Sequence, residues 1–165
     1  MQKLNLEQKN AVAKIQSGGN VVILGQAGCG KTTLLWHLKK TIPDAVVVAP
    51  TGNAARLIDG TTINSLFRIP PYPYISDSVL GVISSKNARK SISAIKTLII
   101  DEIGMVRSDI FAAIDWRLRQ YGPDGCELLP FGGRQIILCG DFFQLNSANS
   151  GEKSIKDLSL HTRPL

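Results

Sequence analysis

The stretch Val21-Val22-Ile23-Leu24-Gly25-Gln26-Ala27-Gly28-Cys29-Gly30-Lys31-Thr32-Thr33-Leu34-Leu35 decides how the rest of this 165-residue chain is read. Its first four residues are a continuous apolar run rich in β-branched side chains, the composition of a strand buried on both faces, so a central parallel strand is expected there. Residues 25–32 then satisfy G-x-x-x-x-G-K-[ST], and Lys31 to Lys40 has helical periodicity. Strand, glycine loop and helix in that order make a phosphate cradle. The glycines let backbone N–H groups curl around an anion, and the helix N-terminus adds its dipole. Gly25, Gln26, Ala27, Gly28, Cys29, Gly30, Lys31, Thr32 and Thr33 are therefore the candidate triphosphate-binding set. Lys31 is placed to reach the β and γ phosphates and Thr32 to ligate magnesium. Cys29 occupies a variable position of the motif and is read as incidental.

Working outward, Asn5 stands in a capping position with Gln8 three residues later, ahead of Leu6, Val12 and Ile15 at roughly helical spacing, which predicts a short helix up to Ser17. Further apolar runs at Ala45 to Ala49, Leu98 to Ile100 and Gln135 to Cys139 predict three more buried strands, and Ser108 to Tyr121 a helix. Strands alternating with helices imply right-handed crossovers, so the expected fold class is α/β, a mostly parallel sheet with helices on both faces. Residues 69–93, with Pro70, Pro71 and Pro73 followed by a Ser-, Lys- and Arg-rich stretch, read as an inserted subdomain or loop standing off that sheet. The compact domain is expected over 1–145. Residues 146–165 contain no further apolar strand and read as a tail whose order composition leaves open.

Two further stretches bring chemistry to the same edge of such a sheet. Seventy positions after Lys31, the apolar run Thr97-Leu98-Ile99-Ile100 ends in Asp101-Glu102, where open α/β sheets put their ligand sites. Beside a phosphate loop, Asp101 suits magnesium, and Glu102 suits orienting and deprotonating an attacking water. The fourth strand runs into Gly140-Asp141-Phe142-Phe143-Gln144. The Gln144 amide is a candidate sensor of the γ-phosphate, since one amide can bond both a phosphate oxygen and a water; a Gly-Asp pair after a strand is also an ordinary turn.

Composition narrows the classes. Nineteen Lys and Arg against thirteen Asp and Glu give a net +6, distributed as +4 over residues 1–67, +4 over 68–97 and −2 over 98–165, a balance that suits a phosphate-bearing partner. The three cysteines form no C-x-x-C pair, so neither a disulfide framework nor a structural zinc site is indicated. The start of the chain is polar, and no apolar run approaches the roughly 20 residues needed to cross a bilayer, so a soluble, intracellular protein without membrane attachment is expected.

The ordered set Leu4-Asn5-x-Glu7-Gln8, GQAGCGKTT, Ala49-Pro50-Thr51-Gly52-x-Ala54-Ala55 running into Gly60-Thr61-Thr62-Ile63-Asn64-Ser65-Leu66-Phe67, then DEIGM and GDFFQL, resembles the superfamily 1B DNA helicases of the Pif and RecD type. Five motifs in family order span residues 4–145. The resemblance implies the ATP-binding, RecA-like P-loop lobe of an ATP-dependent DNA helicase, with roles in DNA repair and recombination. It implies that Gln8 contacts the adenine edge, making ATP the nucleotide, with Mg2+ as its metal. It further implies that Thr51, Gly52, Asn64 and Phe67 line a single-stranded DNA track. Their own chemistry agrees: hydroxyl and amide groups hold sugar and phosphate without reading sequence, and an aromatic ring stacks on a base. Phe67 is equally suited to the core. The insertion at 69–93 occupies the place of a small subdomain that helps split the duplex, where Lys86, Arg89 and Lys90 are available to phosphates and Tyr72 and Tyr74 to bases.

This sequence departs from the family pattern at Asn64 where His is common, at Gly104 where Ser is usual, and at Asn146-Ser147 where two prolines normally follow the Gln144 motif. Such helicases also use a second RecA-like lobe that supplies arginine to the transition state, and no second set of motifs follows Leu145 here. Weak hydrolysis and no unwinding by these residues alone are therefore expected. The alternative reading is a non-catalytic, ATP-dependent DNA- or protein-binding module. A small P-loop kinase fits less well, because no arginine-rich lid is evident and a DE pair suits water activation better than transfer to a hydroxyl.

Overall fold

The structure is a computed structural model and describes residues 4–26, 28–72, 75–76 and 80–141. Five parallel strands, β1 (Val21–Leu24), β2 (Ala45–Ala49), β3 (Thr61–Thr62), β4 (Thr97–Ile100) and β5 (Gln135–Gly140), form one sheet in the order β1-β5-β4-β2-β3. Val21, Ile137, Ile99 and Val47 stand side by side in the register. Because strand side chains alternate, each strand feeds both layers. Val47, Ala49, Ile99, Ile137 and Cys139 pack under α1 (Leu6–Gln16), α2 (Lys31–Thr41) and α3 (Gly52–Leu57). Val48, Leu98, Ile100 and Ile136 pack under α4 (Ile63–Phe67), α5 (Lys86–Ser93) and α6 (Ser108–Gln120). The architecture is the expected α/β one, with helices on both faces.

Local chemistry explains the helix starts. Asn5 and Gln8 form a reciprocal capping box: the Gln8 N–H donates to Asn5 Oδ1 at 2.8 Å and the Asn5 N–H to Gln8 Oε1 at 2.9 Å. Thr51, Thr62 and Ser85 cap α3, α4 and α5 through their hydroxyls.

Two expectations are corrected. Strand β1 is not central: among the described residues it pairs only with β5, and Val22 and Leu24 are 52% and 59% exposed. Val21 and Ile23 pack beneath α1 and α2, whereas among the described residues the helices of the opposite layer stand over the neighbouring strands and not over Val22 and Leu24. Nor does the insertion stand off the sheet. Ile69, Ile75, Leu80 and Ile83 are buried in the core under α6, and the described backbone around them is tied down by side chains of that helix and of the residues flanking it. Asp109 accepts from the Ile75 N–H at 2.8 Å, and the Ile83 N–H donates to the Tyr121 hydroxyl at 2.8 Å. Arg107 donates to the Tyr72 carbonyl at 3.4 Å. Arg117, only 1% exposed, donates to the carbonyls of Leu80, Gly81 and Phe67 at 2.6, 2.8 and 3.1 Å.

Candidate functional site

The parallel register brings the carboxyl ends of β1, β4 and β5 to one edge, the position at which α/β sheets bind ligands. A cleft of about 370 Å³ opens there, lined by Gly28, Gly30, Lys31, Thr32, Asp101, Glu102, Gly104, Met105, Gly140 and Asp141. The loop after Leu24 thus meets the acidic pair after Ile100, as expected from their spacing. Ala27 and Gln144 lie outside the described residues.

The loop is held open by specific features. Gly30, at the N-terminus of α2, has φ +88, which favours glycine, and a Cβ on it would come within 2.7 Å of Gln8 Nε2 and push that amide aside. Gln8 Nε2 donates to the Gly30 carbonyl at 3.2 Å while Oε1 serves the capping box, which fastens α1 to the phosphate loop. A second hollow of about 320 Å³ lies beside Gln8, Cys29 and Gly30, next to the phosphate cleft. The Lys31 ammonium donates to the carbonyls of Gly25 and Gln26 at 2.5 and 2.8 Å, and its Nζ lies 3.9 Å from the Cys29 sulfur. Thr32 is exposed to the cleft; Thr33 lies on the first turn of α2 behind it.

The acidic turn is built differently. The Asp101 N–H donates to the Val48 carbonyl at 2.9 Å, and Asp101 Oδ1 accepts the Glu102 N–H at 2.9 Å. Glu102 adopts φ 51, ψ 41, a left-handed conformation unusual for a side-chain-bearing residue, at the start of the turn Ile103–Met105, in which Ile103 and Gly104 are buried. Burial raises the Glu102 carboxyl above its ordinary range, as does the Asp101 charge, while Lys31 pulls the other way. A raised carboxylate at the end of a cleft is suited to take a proton. Behind the pair, burial and the Asp101 carboxylate push the Cys139 thiol upward, so it stays an S–H.

The DNA-track residues separate. Thr51 caps α3, its hydroxyl accepting the Ala54 N–H at 3.2 Å, and Gly52 is exposed with open space around its Cα. Asn64 Nδ2 donates to the Ile69 carbonyl at 3.1 Å, and the residue lines a second cleft of about 310 Å³ with Pro50, Pro70, Tyr72 and Arg107. Phe67 does not join them: its exposure is 0%, and its ring lies in the core beneath α6, so it has no face to offer a base. A lone aromatic in an apolar helical turn is placed by burial. The geometry adds Met105, which the sequence presented only as the last letter of DEIGM. It lines both clefts and is half exposed between them.

A family model for PIF1-like helicases matches residues 3–161. The chain belongs to the PIF1-like helicase family. Relatives within it include the ATP-dependent DNA helicase PIF6 of Trypanosoma brucei brucei, 39% identical over 149 residues that cover 87% of this chain and 18% of that protein. The ATP-dependent DNA helicase PIF1 of Danio rerio is 34% identical over 92% of this chain and 24% of its own length. Among solved structures, unliganded Pif1 from Bacteroides sp. superposes with a TM-score of 0.80 at 37% identity, covering 93% of this chain and 35% of that one. Bacteroides Pif1 in complex with ADP-AlF3 and single-stranded DNA gives a TM-score of 0.80 at 37% identity over 92% of this chain and 35% of that one. The present chain therefore spans about a fifth of these curated PIF1-like relatives and about a third of the solved ones. The RecA-like P-loop fold is shared with them.

Proposed function

We propose that these residues form the ATP-binding and hydrolysing lobe of an ATP-dependent DNA helicase that acts on single-stranded DNA, working with a second RecA-like lobe supplied from outside them. The observation that carries this reading is the meeting, in one cleft, of a glycine loop ending in Lys31-Thr32 with the Asp101-Glu102 pair. The names of the relatives and the nucleotide and DNA in the solved Bacteroides complex support the same reading. An intracellular setting goes with it.

In this proposal the loop N–H groups and Lys31 bind the phosphates, Lys31 exchanging its carbonyl partners for phosphate oxygens. Thr32 and Asp101 would hold magnesium, through a hydroxyl and a carboxylate whose oxygens suit a hard cation that takes few protein ligands. When bound, it neutralises charge developing on the phosphates. Among the described residues no three His, Cys, Asp or Glu side chains gather into a fuller cage. Glu102 takes the proton of the attacking water, Gln144 senses the γ-phosphate, and Gln8 gives its remaining amide hydrogen to adenine. Thr51, Gly52 and Asn64 hold the strand, and Met105, shared by both clefts, carries displacement of the acidic turn to that track.

Phosphate release from Mg-ATP, with and without a single-stranded oligonucleotide, tests the reading, with Lys31→Ala as the blank. Slow release that the oligonucleotide accelerates and Lys31→Ala abolishes is expected, without strand separation. Binding of Mg-ATP with no release above the blank favours the non-catalytic module instead, and formation of a phosphorylated acceptor rejects both.

A further inference from the structure

We propose that Arg68 is a phosphate-gripping residue of the single-strand track, the charged contact that Thr51, Gly52 and Asn64 do not supply. Arg68 ends α4 in the left-handed region, at φ 53 and ψ 45. Glycine or asparagine takes that conformation readily, whereas a larger side chain is strained in it. The turn is nevertheless fixed from both ends. The Asn64 carbonyl accepts the N–H groups of Arg68 and Ile69, the latter at 3.1 Å, and Asn64 Nδ2 donates back to the Ile69 carbonyl at 3.1 Å. Ahead of the turn, buried Arg117 donates to the Phe67 carbonyl at 3.1 Å.

None of these bonds uses the Arg68 side chain. It is exposed, and among the described residues it makes no hydrogen bond, ion pair or ring contact. A backbone held in a costly conformation by its surroundings, carrying a side chain that the fold does not use, marks a functional position. The ring expected to stack on a base, Phe67, is buried, and the residue after it carries the exposed group.

The ligand follows from charge and place. No Asp or Glu occurs from Gly60 to Ser76, and Asp59 is taken by Lys39 at 3.1 Å, so no acid in this stretch neutralises the guanidinium. Asn64 both holds the Arg68 turn and lines the second cleft, which ties this cation to the proposed track. Arg107, the cation lining that cleft, is already paired with Asp109 at 2.6 Å. Thr51, Gly52 and Asn64 offer only hydroxyl and amide groups. A guanidinium added to them suits the phosphates of a nucleic-acid strand and reads charge rather than base. Resting on the single-strand reading of the cleft, this role adds a residue that the family resemblance does not assign.

The chain is titrated onto a fluorescent oligo(dT) and onto a mixed-sequence strand at salt from about 50 to 200 mM. Wild type is compared with Arg68→Gly, Arg68→Lys, Thr51→Ala and a distant control, Lys14→Gln, in the last turn of α1. Losing one phosphate contact flattens the log–log salt slope by about 0.7, so across this range Arg68→Gly loses about 2.6-fold less affinity than wild type does. That flattening is expected on both strands alike, with the wild-type slope in Arg68→Lys and Lys14→Gln and unchanged Mg-ATP binding throughout. Because glycine relieves the left-handed turn, the melting temperature of Arg68→Gly stays level or rises, whereas a structural role for the side chain predicts a fall. Arg68→Asn, also suited to a left-handed turn, gives the same flattening should the glycine variant not fold. A wild-type slope in Arg68→Gly while Thr51→Ala weakens binding overturns the assignment of Arg68 alone, and no response to either overturns the track with it. A lower melting temperature, or a slope in Arg68→Lys as flat as in Arg68→Gly, also overturns it.

Discussion

The two faces of the sheet solve the same packing problem with different materials. The layer of α1, α2 and α3 is apolar throughout its core, with Leu34, Leu35 and Leu38 meeting Val47, Ile99 and Ile137. The layer of α4, α5 and α6 contains two buried arginines. Arg117 serves the carbonyls of Phe67, Leu80 and Gly81; Arg134 serves those of Ile95, Leu118, Ser93 and Tyr121, at 2.8, 2.7, 3.3 and 3.3 Å. The first face is regular helices joined by short turns, whose open carbonyls lie at its margins and are met by Lys39 at Ile58 and Asp59 and by Gln135 at Ile15 and Gly19. The second must bury irregular backbone at residues 67–69 and 80–83 and the carbonyls at the ends of α5 and α6, and carbonyls in a core need donors. A guanidinium, with five N–H groups in a fixed fork, satisfies several at once. Irregular, function-bearing chain can thus be part of a core when a polar side chain replaces the missing secondary structure.

That contrast predicts a graded set of losses. Arg134→Met removes the side-chain donor from five carbonyls, that of Gly132 at 3.4 Å included, and a fall of about 4 kcal/mol in unfolding free energy by urea denaturation is expected; a neutral or stabilising result would mean the apolar alternative packs as well as the ionic one. Leu38→Ala, fully buried on the other face, leaves a cavity costing about 3 kcal/mol. Arg117→Met costs about 2–3 kcal/mol, but its signature is local. Limited proteolysis within residues 75–83 should accelerate well before global unfolding, and Leu38→Ala should not show this. Tyr121→Phe removes one bond to the Ile83 N–H and costs about 1 kcal/mol.

The smallest effect concerns pH. Because the Glu102 carboxyl is raised in the folded chain, the native state holds a proton that the unfolded chain has released once pH exceeds 4.5. Stability therefore falls as pH climbs from there through the raised value, and thermal melts of Glu102→Gln should lack that decline. Asp109 behaves oppositely: burial favours its neutral form, but Arg107 and the Ile75 N–H outweigh this and lower it. Its contribution is present above the ordinary carboxylate range and is lost in acid.

Much of the phosphate edge was legible in the sequence because its chemistry is local. Glycines at 28 and 30, a lysine and a hydroxyl in one turn, and an acidic pair closing an apolar run each state their environment within a few residues. The position of β1 among the described strands was not, since an apolar run reports a preference for burial but not which strand or helix supplies it. Strand β3, two residues long, is defined by pairing with Val48 and Ala49 rather than by composition. The insertion was misread because Ile69, Ile75, Leu80 and Ile83 follow no period. Arg117 left a signal that could have been used: it interrupts the buried stripe Ala113, Ile114, Leu118 of α6, a place where a cation survives only with acceptors aimed at it.

Mg-ATP titration of wild type, Lys31→Ala and Glu102→Gln, read alongside phosphate release in the same samples, separates binding from chemistry at this edge. Wild type should bind and release phosphate slowly, Lys31→Ala should do neither, and Glu102→Gln should bind as wild type does while release drops by about 10²–10⁴. Release by Glu102→Gln at the wild-type rate, or no Mg-ATP binding by the wild-type chain, would contradict the assignment of this cleft.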